Sequence, residues 1–98
     1  MVNVVTNAYI FEDRHGVKRL FAEVVEDERY PTGHHIVTSM VVSVSTDIEG
    51  GLSGVVQTES ETVYQVNKLL TKEEFIAHVK ENFDEETANW YLWYTNLV

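Results

Sequence analysis

No cysteine occurs in the chain, which excludes a disulfide framework and any zinc site built on thiolates. Proline appears once, as Pro31, and glycine five times, so low-complexity tracts and long linkers are absent as well. No apolar run approaches the roughly 18 residues that a bilayer-spanning helix needs. The amino-terminal stretch from Met1 to Asn7 has neither the basic flank nor the apolar core of a signal peptide. These absences predict a soluble, intracellular protein.

Positive charge is also scarce. Seven Lys and Arg face 16 Asp and Glu, for a formal net charge of −9. Direct binding to nucleic acid or to an anionic membrane draws its affinity from Lys and Arg, so the deficit argues against both. It favours a basic protein partner, or it serves solubility alone.

Catalytic signatures are missing: there is no Gly-x-Ser-x-Gly elbow, no phosphate-binding glycine loop and no cysteine nucleophile. Ser39 and His35 share a face of one predicted strand, but four residues of strand separate them by ~13 Å, too far for a hydrogen bond. Glu12 and Asp13 adjoin a turn and are expected to be solvated. Of the four histidines, His34 and His35 are adjacent and point to opposite faces. His78 is alone on its predicted helix, with Glu74 and Glu81 within one turn. The expectation is loop and surface histidines, with no enzyme activity, no metal and no cofactor.

What the sequence does contain is an ordinary globular mixture, 44% hydrophobic and 23% charged over 98 residues, the size of one domain. Residues 1–67 read as β-rich. Residues 2–11 alternate, with Val4, Ala8 and Ile10 on one face and Val5, Tyr9 and Phe11 on the other. Asp13, Arg14, His15 and Gly16 form a turn signal, and residues 17–25 return as the second arm of a hairpin. After a loop around Pro31, residues 35–45 are the strongest strand pattern, apolar on both faces and predicted central. A glycine-containing loop is expected over residues 46–54, then short strands over 55–59 and 62–67.

Residues 71–98 read as two helices. Thr71 and Glu74 fit a capping box, and Phe75, Ile76, Val79 and Phe83 form a stripe. Asp84 is placed to cap the second helix, with Glu85 and Glu86 at the positive end of its dipole. The fold class predicted is α+β: an antiparallel sheet, or a small partly open β-barrel, of four to five strands followed by a helical pair.

Two stretches carry a resemblance. Arg29 through Ser39, with Pro31-Thr32-Gly33 leading into Thr38-Ser39, and Val55–Thr58 followed by Val63-Tyr64-Gln65-Val66, resemble short β-rich accessory proteins of phages and prophages. The likeness spans about residues 29–66 and carries no catalytic residue. It implies a phage or mobile-element setting, and so the cytoplasm of a host cell.

Two acidic clusters are candidate partner-binding sites: Glu26, Asp27 and Glu28 in the first loop, with Glu23 at the strand end before them, and Glu81, Asp84, Glu85 and Glu86 at the helix junction. Capping and solubility explain the same acids. Trp90, Tyr91, Trp93 and Tyr94 are the candidate self-association residues. Trp90, Trp93, Tyr94 and Leu97 follow helical spacing as a core stripe, with Tyr91 and Leu92 on the other side. Apolar groups thus wrap further round the helix than one sheet face can bury. The function expected is a non-enzymatic inhibitor that binds the basic, nucleic-acid-contacting surface of a host defence complex. The alternatives are a virion assembly factor, or an oligomeric sponge for a small signalling ligand, with Arg14, Lys18, Arg19 or Arg29 facing an anion.

Overall fold

The structure, a computed structural model, describes residues 3–45 and 54–97. It is α+β: six strands in one mixed sheet, then two helices. The strands are β1 (Asn3–Glu12), β2 (Lys18–Glu26), β3 (His35–Val37), β4 (Val41–Val44), β5 (Gly54–Thr58) and β6 (Val63–Val66). Their spatial order is β3-β2-β1-β6-β5-β4, with β1 and β6 parallel and every other pair antiparallel. The expected loop over residues 46–54 falls outside the described residues apart from Gly54, which opens β5.

The hairpin of β1 and β2 forms as the turn signal predicts. Asp13, however, is not solvated. It is only 2% exposed, and its Oδ1 accepts from the backbone N–H of His15 at 2.8 Å and of Val17 at 3.0 Å. Arg19 Nε donates to Oδ2 at 2.8 Å. A carboxylate that ties a tight turn from inside is worth more there than in water. Glu12 is exposed, as expected.

The face assignment of β1 changes at Asn7. The register with β2 shifts between Thr6 and Tyr9, and Asn7 has φ +47°. One extra residue in a bulge reverses the in-out alternation beyond it. Val5 therefore joins Ala8 in one core cluster packed by Ile10, while Phe11 and Tyr9 belong to another. The simple alternation read from the sequence had put Val5 with Tyr9 and Phe11.

The segment 35–45 is not one central strand. It breaks at 38–40 into β3 and β4, the two opposite edges of the sheet. A flat sheet of six strands would hold its edges about 24 Å apart, yet the chain from Val37 to Val41 spans at most ~14 Å. The sheet must therefore curl, and it stays open because no ladder joins β3 to β4. Thr38 fastens the crossing: its N–H donates to the Leu20 carbonyl at 2.9 Å, and its Oγ1 accepts from Leu20 N–H at 3.2 Å. On the far side the Met40 carbonyl accepts from Glu59 N–H at 2.8 Å.

Curling explains the two cores. Val5, Leu20, Val24, Ile36, Val41, Val56, Tyr64 and Val66, drawn from all six strands, meet on the concave face. On the other face Phe11 and Phe21 pack against helix residues Phe75, Val79, Ala88 and Leu92. Residues apolar on both sides, such as Ile36 and Val37, serve one core each.

Helix α1 (Lys72–Asn82) starts with the predicted capping box, Glu74 N–H to Thr71 Oγ1 at 3.2 Å and Thr71 N–H to Glu74 Oε1 at 3.0 Å. Asp84 does occupy the N-cap position of α2 (Glu85–Tyr94), but its side chain makes no cap hydrogen bond. The end of α2 is tied to the first hairpin: Asn96 Nδ2 donates to the carbonyls of Glu12 and Asp13 at 3.2 and 3.1 Å, and Arg14 Nε to that of Trp93 at 2.9 Å. Among the described residues no helix is long and apolar enough to cross a membrane.

Candidate functional site

Three features outside the cores carry chemistry: the outer face of α2, the acidic clusters, and a group of side chains between α1 and the sheet. On α2 the buried positions are Ala88, Leu92 and, just past the helix, Thr95, with Tyr91 partly covered. Trp90 and Trp93 stay 51% and 49% exposed. Of the expected stripe, Tyr94 and Leu97 do pack against the helix–sheet core, Tyr94 meeting Phe11 edge-on at 5.6 Å, but Trp90 and Trp93 do not, and Tyr91 and Leu92 face that core instead of pointing away from it. Both faces have helical spacing, so periodicity could not choose between them. Small Ala88 and branched Leu92 fit the close approach to Phe11, Phe21 and Val79, which indole rings would obstruct. The surplus of apolar surface nonetheless remains on the outside. Trp90 stacks on Tyr94 with centroids 5.0 Å apart, and Arg14 lies 4.8 Å above the Trp93 ring.

The two acidic clusters differ in how far their charge is free. In the first loop Asp27 is bound to Arg29 through Nε at 3.2 Å and Nη2 at 3.1 Å, its carboxylate fully covered. The side-chain hydrogen bond from Arg29 holds the Asp27 carboxyl below its ordinary value. Arg29 also donates to Tyr64 Oη at 3.1 Å. Asp27 thus shapes the loop, and Glu26 and Glu28 are its exposed acids. Asp27, Glu28, Arg29 and Glu61 line an open cleft of about 420 Å³. At the helix junction Glu81, Asp84, Glu85 and Glu86 are all exposed, and among the described residues no ion pair engages them.

The basic residues considered for an anionic ligand are largely committed elsewhere. Arg19 holds Asp13 and the Thr38 carbonyl, at 2.8 and 3.1 Å. Arg29 holds Asp27, and Arg14 covers Trp93. Lys18 is exposed at the start of β2.

The third feature is a cluster of Glu23, His35 and His78. Glu23 on β2 and His35 on β3 are direct cross-strand partners, so both side chains leave the sheet on one face. That face is the one α1 covers, and His78 lies between the buried anchors Phe75 and Val79. His35 Nε2 and His78 Nε2 are 3.0 Å apart. Glu23 Oε1 lies 3.6 Å from the first and 3.8 Å from the second. Aromatic rings wall the cluster: Phe21 stacks on His35 at 5.6 Å, and Phe83 meets it edge-on at 4.7 Å.

A further layer orients these groups. Asn7, the bulge residue, donates from Nδ2 to Glu23 Oε1 at 3.2 Å. Asn82 Nδ2 lies 3.3 Å from His78 Nδ1 and donates to the His78 carbonyl at 2.8 Å. Burial, reinforced by the neighbouring His78, pushes His35 below the usual imidazole value against the pull of Glu23. Such a cluster can share one proton between two imidazoles, or bind a cation that takes the proton's place.

Sequence reasoning placed Glu23 with the acids of the first loop, weighed His35 only beside His34 and Ser39, and offered His78 only Glu74 and Glu81. Glu74 is occupied by the capping box and Glu81 is exposed. The signal it lacked is register: an eight-residue connection between β2 and β3 does not specify which residue of one strand faces which of the other. Comparison with known protein families, with curated proteins and with solved structures finds no match to this chain.

Proposed function

We propose that the chain is a non-enzymatic inhibitor encoded by a phage or other mobile element. It binds the basic, nucleic-acid-contacting surface of a host defence complex, such as a CRISPR effector or a restriction enzyme, and blocks access to the target. One observation carries this reading. The outward side of α2 presents Glu85 and Glu86 in its first turn and half-exposed Trp90 and Trp93 in the turns that follow. Free negative charge steers a basic surface into contact, and tryptophans give such a contact its anchor. The net charge of −9 and the resemblance over residues 29–66 support the same partner class and setting.

The test is affinity purification of the full chain from host cells, beside a variant with Glu81, Glu85 and Glu86 changed to Lys. Recovery of a nucleic-acid-binding complex by the parent chain and its loss in the variant is the expected result. Recovery indifferent to the charge reversal overturns the reading. Trp90 and Trp93 also favour a second reading, self-association through the same helix, which light scattering across a concentration series detects directly.

A further inference from the structure

The geometry points to Glu23, His35 and His78 as a binding site for a divalent late transition ion, with Zn²⁺ the ion of best fit. The separations of 3.0, 3.6 and 3.8 Å between the two Nε2 atoms and Glu23 Oε1 define a triangle. Its circumscribed circle has a radius of ~2.0 Å, the length of a Zn–N or Zn–O bond. One ion near the centre of that triangle reaches all three donors without moving a strand or a helix. Two imidazoles and one carboxylate, with no thiolate in the chain, match the nitrogen-and-oxygen donor set of Zn²⁺ rather than the all-oxygen sets of Mg²⁺ or Ca²⁺.

The surroundings are those of a built site. Each donor sits on a regular element, and all three are partly buried. Asn7 holds Glu23 and Asn82 adjoins the outer nitrogen of His78, the positions from which partners orient metal ligands. Without an ion, one ring must donate its Nε2–H to the other across 3.0 Å. Metal binding moves that proton to Nδ1 of the donor ring, so one neutral tautomer replaces another. A shallow depression of about 220 Å³ borders the site, lined by Asn7, Lys68, His78 and Glu81 among others. Solvent from there supplies the fourth ligand.

The consequence is mechanical. Glu23 and His35 belong to the sheet and His78 to α1, so the ion fastens the helical layer to the sheet edge. The site is independent of the inhibitor reading, and its experiment needs no partner. The full chain, free of any histidine tag and treated with chelator, is titrated with ZnCl₂ by calorimetry and followed by thermal denaturation. One ion per chain, micromolar or tighter affinity and a Tm raised by several degrees are expected. Glu23→Gln, His35→Gln and His78→Gln each weaken binding at least tenfold, whereas His34→Gln, on the exposed neighbour, leaves it unchanged. Asn7→Gly keeps the positive φ, removes the amide and weakens binding by roughly 10- to 100-fold. Co²⁺ loading gives a readout that needs no variant. Intense visible bands of a four-coordinate ion support the site; the pale spectrum of the hydrated ion overturns it. So does Zn²⁺ binding that is absent at millimolar concentration or that survives His35→Gln with His78→Gln.

Discussion

Asp13 and Asn7 show what a single residue decides in this chain. The hydrogen bond from Arg19 lowers the Asp13 carboxyl to about 2, below the ~3.9 of an unfolded aspartate. A depressed folded value means the stabilisation is complete above the unfolded pKa and is lost as pH falls through the folded one. Thermal denaturation of the parent chain between pH 5 and 2 should therefore show Tm falling more steeply than in Asp13→Asn, which starts lower and flatter at neutral pH. Asn7 sits at φ +47°, where a β-carbon costs about 1–2 kcal/mol unless the residue is Gly, Asn or Asp. Urea denaturation should rank Asn7→Ala below Asn7→Gly by about 1 kcal/mol, although alanine is ordinarily the better strand residue. The turn around Asp13 was legible because its signal is local. The bulge at Asn7 was not, since nothing in an alternating stretch announces one extra residue.

Elements were legible as far as their own residues govern them. The hairpin, the capping box of α1 and the start of α2 all follow from patterns within a few positions. What failed was choice of neighbour: residues 35–45 look like a central strand because their apolar content is high on both sides. In the curled sheet that content splits between a concave core and a helical one, and the segment becomes two edges. The second helix failed in the same way, because only tertiary space could choose between its two apolar stripes. The consequence is measurable. Leu92→Ala should cost about 2–5 kcal/mol in denaturant unfolding, since Leu92 lies in the helix–sheet core. Trp93→Ala should cost about 1 kcal/mol or less, the worth of an exposed cation–π contact. A larger loss from Trp93→Ala than from Leu92→Ala would mean that the helix is turned the other way.

At the scale of the whole molecule, charge and apolar surface act on association in opposite directions with salt. The net charge of −9 was plain in the composition, but not that Asp13 and Asp27 are neutralised internally while Glu81, Asp84, Glu85 and Glu86 are exposed and in no ion pair among the described residues. Two copies of the chain repel each other, and raising salt shortens the reach of that repulsion to about 8 Å at physiological ionic strength. A basic partner is attracted, and the same salt weakens its capture. Both proposed contacts would draw on Trp90 and Trp93. Light scattering should therefore show any dimer growing as salt rises and vanishing in the Trp90→Ala, Trp93→Ala double variant. Binding to the partner recovered by affinity purification should fall over the same salt range, chiefly through a slower association rate. A complex that tightens with salt would place the tryptophans, not the acids, at the centre of recognition, and would assign the acids at the helix junction to the helix dipole and solubility alone.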